Sequence, residues 1–168
     1  MTQSALEEAA GTELLTDAVV AQNQAQARSF WHMRETISEA EKREGVSIKH
    51  DISVPVASIP AFIREATAVV VKKFPGARPI CFGHMGDGNL HYNVSFTRPG
   101  NVDLFDDEPA VNTLVYDLVY AHGGTLSAEH GIGQLKRDWL RRYLPPANLA
   151  AMRAVKQALD PLGLMNPG

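Results

Sequence analysis

The sequence predicts an α+β fold: a ferredoxin-like βαββαβ antiparallel sheet with helices on one face, plus additional N- and C-terminal helices. Three observations predict it. Four segments alternate apolar and polar residues with the two-residue period of half-buried strands. Two amphipathic helical stripes lie between them, and the turn Gly86-Asp87-Gly88-Asn89 joins the middle pair. The resulting order between Ile48 and Glu129 is that of a split βαβ unit, in which both helices cover one sheet face.

Each element follows from its local composition. From about Thr12 to Glu44 the chain has no Pro or Gly and is rich in Ala, Gln, Glu and Arg, which predicts one long helix or two short ones, stopped by Gly45. Ser47 to Val54 reads as a strand with Ile48, Ile52 and Val54 on one phase and Lys49, Asp51 and Ser53 on the other. Ile59 to Phe74 carries apolar residues at Ile59, Phe62, Ile63, Ala66, Val69 and Val70, a stripe opened by Ser58 and closed by Pro75-Gly76. Arg78 to Met85 and Leu90 to Thr97 form the expected hairpin. Glu108 to Ala121 is the second helix, ended by Gly123-Gly124, and Thr125 to Glu129 is a short fourth strand. Two further helices are expected at about Gly133 to Tyr143 and Ala147 to Leu159, separated by Pro145-Pro146.

Composition narrows the partners. The chain has 168 residues, 45% hydrophobic and 21% charged, consistent with one globular domain. Sixteen Lys plus Arg against nineteen Asp plus Glu give a net charge of −3, no footprint for nucleic acid or an anionic membrane. A single cysteine, Cys81, excludes an internal disulfide framework or a Cys-rich zinc module and points to a reducing, cytoplasmic setting. No run is long and apolar enough to span a membrane.

The chemistry gathers on the open sheet face. A four-residue turn at 86–89 would set Met85 opposite Leu90 and His84 opposite His91, with the imidazoles about 5 Å apart at Cβ. His91, Asn93, Ser95 and Thr97 then share a polar face, and Leu90, Tyr92, Val94 and Phe96 share the core. Thr125, Ser127 and Glu129 occupy the polar phase of the fourth strand, so one face collects Lys49, His84, His91, Asn93 and Glu129. Two His and a carboxylate are a common set for a divalent metal with open positions, and His130 is a candidate general base. The fourth strand should lie two strands from the hairpin ligands, roughly 10 Å away, so Glu129 must sit at a strand end to reach them. Plainer readings stand beside these. The glycine-rich turn serves equally as a simple hairpin, Arg34 and Ser38 as a polar helix face at i and i+4, and His32, His50 and His122 as structural residues. Gly131-Ile132-Gly133 is only a weak phosphate-cradle signal.

The strings Gly83-His84-Met85-Gly86-Asp87-Gly88-Asn89-Leu90-His91-Tyr92-Asn93-Val94 and Ser127-Ala128-Glu129-His130-Gly131-Ile132-Gly133, with Leu164-Met165-Asn166-Pro167-Gly168, resemble the C-terminal domain of the FAD-linked oxidases. That family comprises D-lactate dehydrogenases, D-2-hydroxyglutarate dehydrogenases and the glycolate oxidase FAD subunit. The resemblance extends upstream through Trp31-His32-Met33-Arg34-Glu35 and Lys49-His50-Asp51-Ile52-Ser53-Val54-Pro55, almost the whole chain. It implies that residues 1–168 are the substrate- and metal-binding cap domain of a flavoenzyme, with FAD bound mainly by an N-terminal domain absent here. It further implies that His84, His91 and Glu129 bind a divalent metal, zinc in the 2-hydroxyglutarate branch. Arg34 matches a carboxylate clamp, Ser38, Lys49 and Asn93 further substrate contacts, His130 the catalytic base, and Asn166 a residue approaching the flavin.

The expected activity is therefore oxidation of a small anionic D-2-hydroxy acid to the 2-oxo acid, with hydride passing to FAD and the isolated chain inactive. The sequence stops at Asn166-Pro167-Gly168, where the family continues with a Lys, which suggests a fragment. Two other readings are a free-standing metal or small-acid binding module without redox activity and a metal-dependent hydrolase using His84, His91 and Glu129. Exposure of the face that meets the flavin domain leads us to expect self-association, a homo-oligomer, in isolation.

Overall fold

A computed structural model of the protein describes residues 2–12, 14–96 and 104–166, and it is α+β. The chain divides into two compact units, Met1–Gly45 and Val46–Gly168. In the first, the continuous helix expected from Thr12 is replaced by α1 (Thr2–Gly11), α2 (Gln24–Glu35) and α3 (Ile37–Glu44). Local chemistry sets the breaks. Asn23 caps α2 by accepting from Gln26 N–H at 3.0 Å, while the Gln26 side chain reaches back to Gln22 N–H at 2.7 Å. At the other end the Thr36 hydroxyl donates to the carbonyls of His32 and Met33, separating α2 from α3. Arg34 and Ser38, expected on one helix face, consequently lie on different helices.

The second unit is built on a sheet centred on β4 (Asn89–Phe96). Along its full length β4 pairs antiparallel with β3 (Ala77–His84), and on its other side with β1 (Ser47–Ile48) and β2 (Asp51–Ser53). The first expected strand is thus two short ones in a single register. Between them the His50 N–H donates to Asn93 Oδ1 at 3.3 Å instead of to a carbonyl of the ladder. The hairpin register differs from expectation by two residues. His84 pairs with Asn89, Gly83 with Leu90 and Phe82 with His91, because the turn occupies residues 85–88. A shift of two preserves the faces. His84 and His91 remain on one side but are diagonal neighbours, and Met85 lies in the turn beyond β3. Gly88, at φ 80°, lets that turn approach Val54, whose N–H bonds the Gly88 carbonyl at 3.1 Å; a Cβ there would sit 2.1 Å from Val54 O. Thr97 lies outside the described residues.

α4 (Ile59–Lys73) and α5 (Leu104–Ala121) both contribute to the core. Phe62, Ala66 and Val70 of α4 and Val111, Val115 and Val119 of α5 are fully buried in one cluster with Ile52, Tyr92 and Val94 of the sheet. α5 begins at Leu104 rather than Glu108, with Pro109 inside it. The helix expected from Gly133 begins only at α6 (Arg137–Tyr143), and α7 (Pro146–Leu159) follows.

The fourth strand is the main departure. Its whole ladder is the bridge Ser53–Thr125, with N–H to carbonyl bonds of 3.1 and 2.8 Å. Gly124 permits this approach, since a Cβ there would lie 2.2 Å from Ser53 O. Beyond the bridge the backbone N–H groups of residues 128–130 turn to a side chain, Asp51, instead of to the sheet.

Candidate functional site

The side of β4 opposite the helices carries Asn89, His91, Asn93 and Ser95, the phase left polar when Leu90, Tyr92, Val94 and Phe96 enter the core. At its hairpin end a cavity of about 450 Å³ is lined by Ser53, His84, Asp87, Asn89, Ser127, Ala128 and Glu129. Glu129 reaches the hairpin because its segment has left the sheet. Its Oε1 lies 3.1 Å from His91 Nε2 and accepts from Asn89 Nδ2 at 2.8 Å. These contacts hold the Glu129 carboxyl below its usual range, the Asn89 bond first and the His91 ring after it. The bond also fixes the Asn89 amide, whose buried Oδ1 is left without a partner. An orphaned acceptor of this kind is destabilising by about 1–3 kcal/mol, so the orientation serves Glu129 at the expense of the fold.

Behind Glu129 lies Asp51, buried at 5% exposure. Its Oδ2 accepts from Ser127 Oγ at 2.8 Å, Ala128 N at 3.3 Å and His130 N at 3.0 Å, and its Oδ1 from Glu129 N at 3.2 Å. Burial alone would raise this carboxyl. The hydrogen bonds from His130, Ser127 and Glu129, with the charge of Lys136, reverse that and keep it below the ordinary carboxylate value. Lys136 Nζ donates to the carbonyls of Asp51 at 3.0 Å and Leu126 at 2.7 Å and stands 3.9 Å from Asp51 Oδ2. Its own pKa is lowered by burial, against the pull of Asp51.

Ligand atoms of Asp51, His91 and Glu129 lie within 4.8 Å of one another. One imidazole nitrogen and carboxylate oxygens at that spacing suit a divalent cation. His84 stands outside this group, on the cavity wall beside Glu129. His130 is 68% exposed, its ring 5.7 Å from that of His91 and its Nδ1 4.0 Å from Asp51 Oδ2. Phe82 lies against the other His91 neighbour position, with ring centroids 5.0 Å apart. Asn93 is buried with its Oδ1 accepting from His50, while Lys49, between β1 and β2, is exposed.

In the N-terminal unit Arg34 borders a hollow of about 380 Å³ with Ala21, Ala27, Phe30 and Trp31. Asn166 has a left-handed backbone, φ 47°, after a segment held by Asp160, which accepts from the N–H groups of Leu164 at 2.8 Å and Met165 at 2.9 Å. Sequence reasoning brought together His91, Glu129 and His130 but missed Asn89 and Asp51 as site residues. Asp51 had a signal, a carboxylate on the polar phase of the first strand. His122 is structural in the sense expected, bonded to Glu65 at 2.9 Å and set edge-on to Phe62.

Comparison with known proteins gives a consistent result. The chain is 41% identical over 155 residues to a D-2-hydroxyglutarate dehydrogenase of Stutzerimonas stutzeri, covering 90% of this chain and 33% of that protein. It is 37% identical over 154 residues to the mitochondrial D-2-hydroxyglutarate dehydrogenase of Arabidopsis thaliana, covering 92% and 26%. With the Danio rerio mitochondrial enzyme the identity is 36% over 165 residues, covering 96% and 29%. The chain thus spans a quarter to a third of the length of these relatives. Among the described residues no helix is long and apolar enough to cross a membrane. The family model for the C-terminal domain of FAD linked oxidases matches residues 1–168, and the chain belongs to that family.

Proposed function

We propose that this chain is the substrate- and metal-binding cap domain of an FAD-dependent 2-hydroxy acid dehydrogenase, with FAD held mainly by a domain outside these residues. The observation that carries the reading is the His91–Glu129 pair, with Glu129 lining a polar cavity and the His130 ring beside that of His91, in a chain of this family. The names of the relatives favour D-2-hydroxyglutarate as substrate. His91 and Glu129 would hold a divalent ion, zinc by family resemblance, with His84 supplying a further imidazole from the cavity wall. When bound, the ion supplies Lewis acidity toward the 2-hydroxyl and FAD supplies the hydride acceptor.

The remaining roles belong to side chains. His130 takes the hydroxyl proton at Nε2, because its Nδ1 faces the Asp51 carboxylate. Arg34 would pair with a substrate carboxylate through its planar fork, with Ser38 and Lys49 adding polar contacts, whereas Asn93, also matched by the resemblance, is buried with its Oδ1 on the His50 N–H. Asn166 would contact the flavin, and the segment just before it is held by the Asp160 bonds to the N–H groups of Leu164 and Met165. The isolated chain is inactive, self-associates through the face that meets the flavin domain, and belongs to a cytoplasmic enzyme. Sedimentation at increasing concentration checks the self-association, and a strictly monomeric profile speaks against it.

Elemental analysis and calorimetric zinc titration of the chain, beside the His84→Ala/His91→Ala double variant, test the site. One ion per chain, lost in the double variant, is the expected result. D-2-hydroxyglutarate should then bind the zinc-loaded chain more tightly than glutarate, which lacks the 2-hydroxyl. Failure to take up zinc, manganese or cobalt refutes the metal reading.

A further inference from the structure

Among the described residues Asp51 is the one buried carboxylate that reaches the site, and the roles proposed above give it no chemical step. We propose that the Asp51 carboxylate, locked by the Lys136 ammonium, is a positioning element that shapes the Ser127–His130 segment, aiming Glu129 at His91 and presenting His130, and is not itself a metal ligand. The second half of this statement rests on the metal reading above; the first does not.

Four donors converge on the carboxylate: the Ser127 hydroxyl and the consecutive N–H groups of residues 128, 129 and 130, at 2.8 to 3.3 Å. Three of the four fall on Oδ2, which is left no acceptor position for an ion, so a metal could reach Asp51 only through Oδ1, the oxygen that holds the Glu129 N–H. Three successive backbone N–H groups facing one anion form a concave nest that defines the path of the chain. The path decides where two side chains go. Glu129 leaves the nest toward His91 Nε2 and Asn89 Nδ2, and the His130 ring is left beside that of His91.

Lys136 closes the arrangement from the far side. Its ammonium has three donors, and two of them go to the carbonyls of Asp51 and Leu126, one on each of the segments that the nest joins. The third contact is charge: Nζ stands 3.9 Å from Oδ2 with a side chain only 16% exposed, where the attraction is poorly screened. Lys136 touches neither Glu129 nor His91 in any of these bonds. An effect of its removal on metal affinity would therefore act through the nest.

The experiment uses the 168-residue chain, its Asp51→Asn, Lys136→Met and Lys136→Arg variants, and cobalt as a spectroscopic probe. Amide exchange is read by NMR without metal. The Ala128, Glu129 and His130 amides should exchange at least about tenfold faster in Asp51→Asn and Lys136→Met, with the β4 amides of Tyr92 and Val94 unchanged as the check on folding. Unchanged exchange at 128–130 in a folded Asp51→Asn chain overturns the proposal, whether or not any metal binds. In the cobalt titration, Asp51→Asn and Lys136→Met should both weaken affinity by about 10–100-fold, as loss of groups that orient ligands does, while the visible bands at saturation keep their position. Lys136→Arg should restore most of the affinity. A Lys136→Met chain with parental affinity, together with shifted bands in Asp51→Asn, makes Asp51 a ligand and refutes the positioning role. If the parent chain binds no cobalt, the metal reading fails and the exchange data alone decide for or against the nest.

Discussion

His50 gives the fold a built-in acid sensitivity that can be calculated. The residue is fully buried, its Nδ1 2.7 Å from the Tyr92 carbonyl oxygen, with its ring edge-on to Tyr116 at 5.4 Å. Burial lowers its pKa from 6.5 to about 4; the Tyr92 carbonyl and the Asn112 side chain resist the shift, and the charge of Lys136 adds to it. In the folded chain the ring is therefore neutral down to about pH 4, whereas in the unfolded chain it protonates near 6.5. The unfolded state binds the extra proton between these values, so stability is complete above pH 6.5 and falls as pH drops toward 4. At about 1.4 kcal/mol per pH unit, the loss is about 3 kcal/mol. The assay is urea unfolding at stepped pH, followed by Trp139 fluorescence in a Trp31→Phe background, since Trp139 packs on Tyr116 at 5.3 Å. A His50→Leu variant lacks the titration. Between pH 6.5 and 4 the parent should lose about 3 kcal/mol more than the variant. The depressed carboxyls of Asp51, Glu129 and Asp160 lose their contributions at lower pH, below their unfolded values, and are common to both chains. Parallel curves would refute the reasoning.

Two further outcomes are expected. Gly88→Ala should lower the stability of the second unit by at least about 2 kcal/mol in urea unfolding, because it combines a left-handed backbone with a Cβ directed at the Val54 carbonyl. Burial pushes the Cys81 thiol up to about 11, so at pH 8 it should react with a disulfide reagent at least about tenfold more slowly in the folded chain than in urea.

What the sequence made legible was phase, and what it concealed was register and path. The two-residue alternation placed Leu90, Tyr92 and Val94 inward and His91 and Asn93 outward because burial of one face enforces it. It could not fix how many residues the hairpin turn would use, and a difference of two converted the His84–His91 pair from facing to diagonal. The helix breaks at Asn23 and Thr36 depend on single side-chain bonds that propensity sums average away. The fourth strand failed for a different reason. Thr125 to Glu129 has strand-like alternation, but the N–H groups of residues 128 to 130 are taken by Asp51, a residue more than seventy positions earlier. The same contact resolved the separation expected between Glu129 and the hairpin, since a segment released from the sheet can fold over its edge.

That separation in sequence bears on how the molecule acquires its site. Residues 127 to 130 meet Asp51 across 76 to 79 positions, and Glu129 meets His91 across 38, so these side chains converge only when β2, β4 and the segment after α5 are all in place. Closing loops of that length costs entropy before any contact compensates for it, which places the assembly late in folding. A newly made chain would thus offer a metal no partial site to occupy. Were the proposed ion to bind only the finished arrangement, its loading would mark completed folding and would raise the stability of the whole unit in proportion to the logarithm of its concentration.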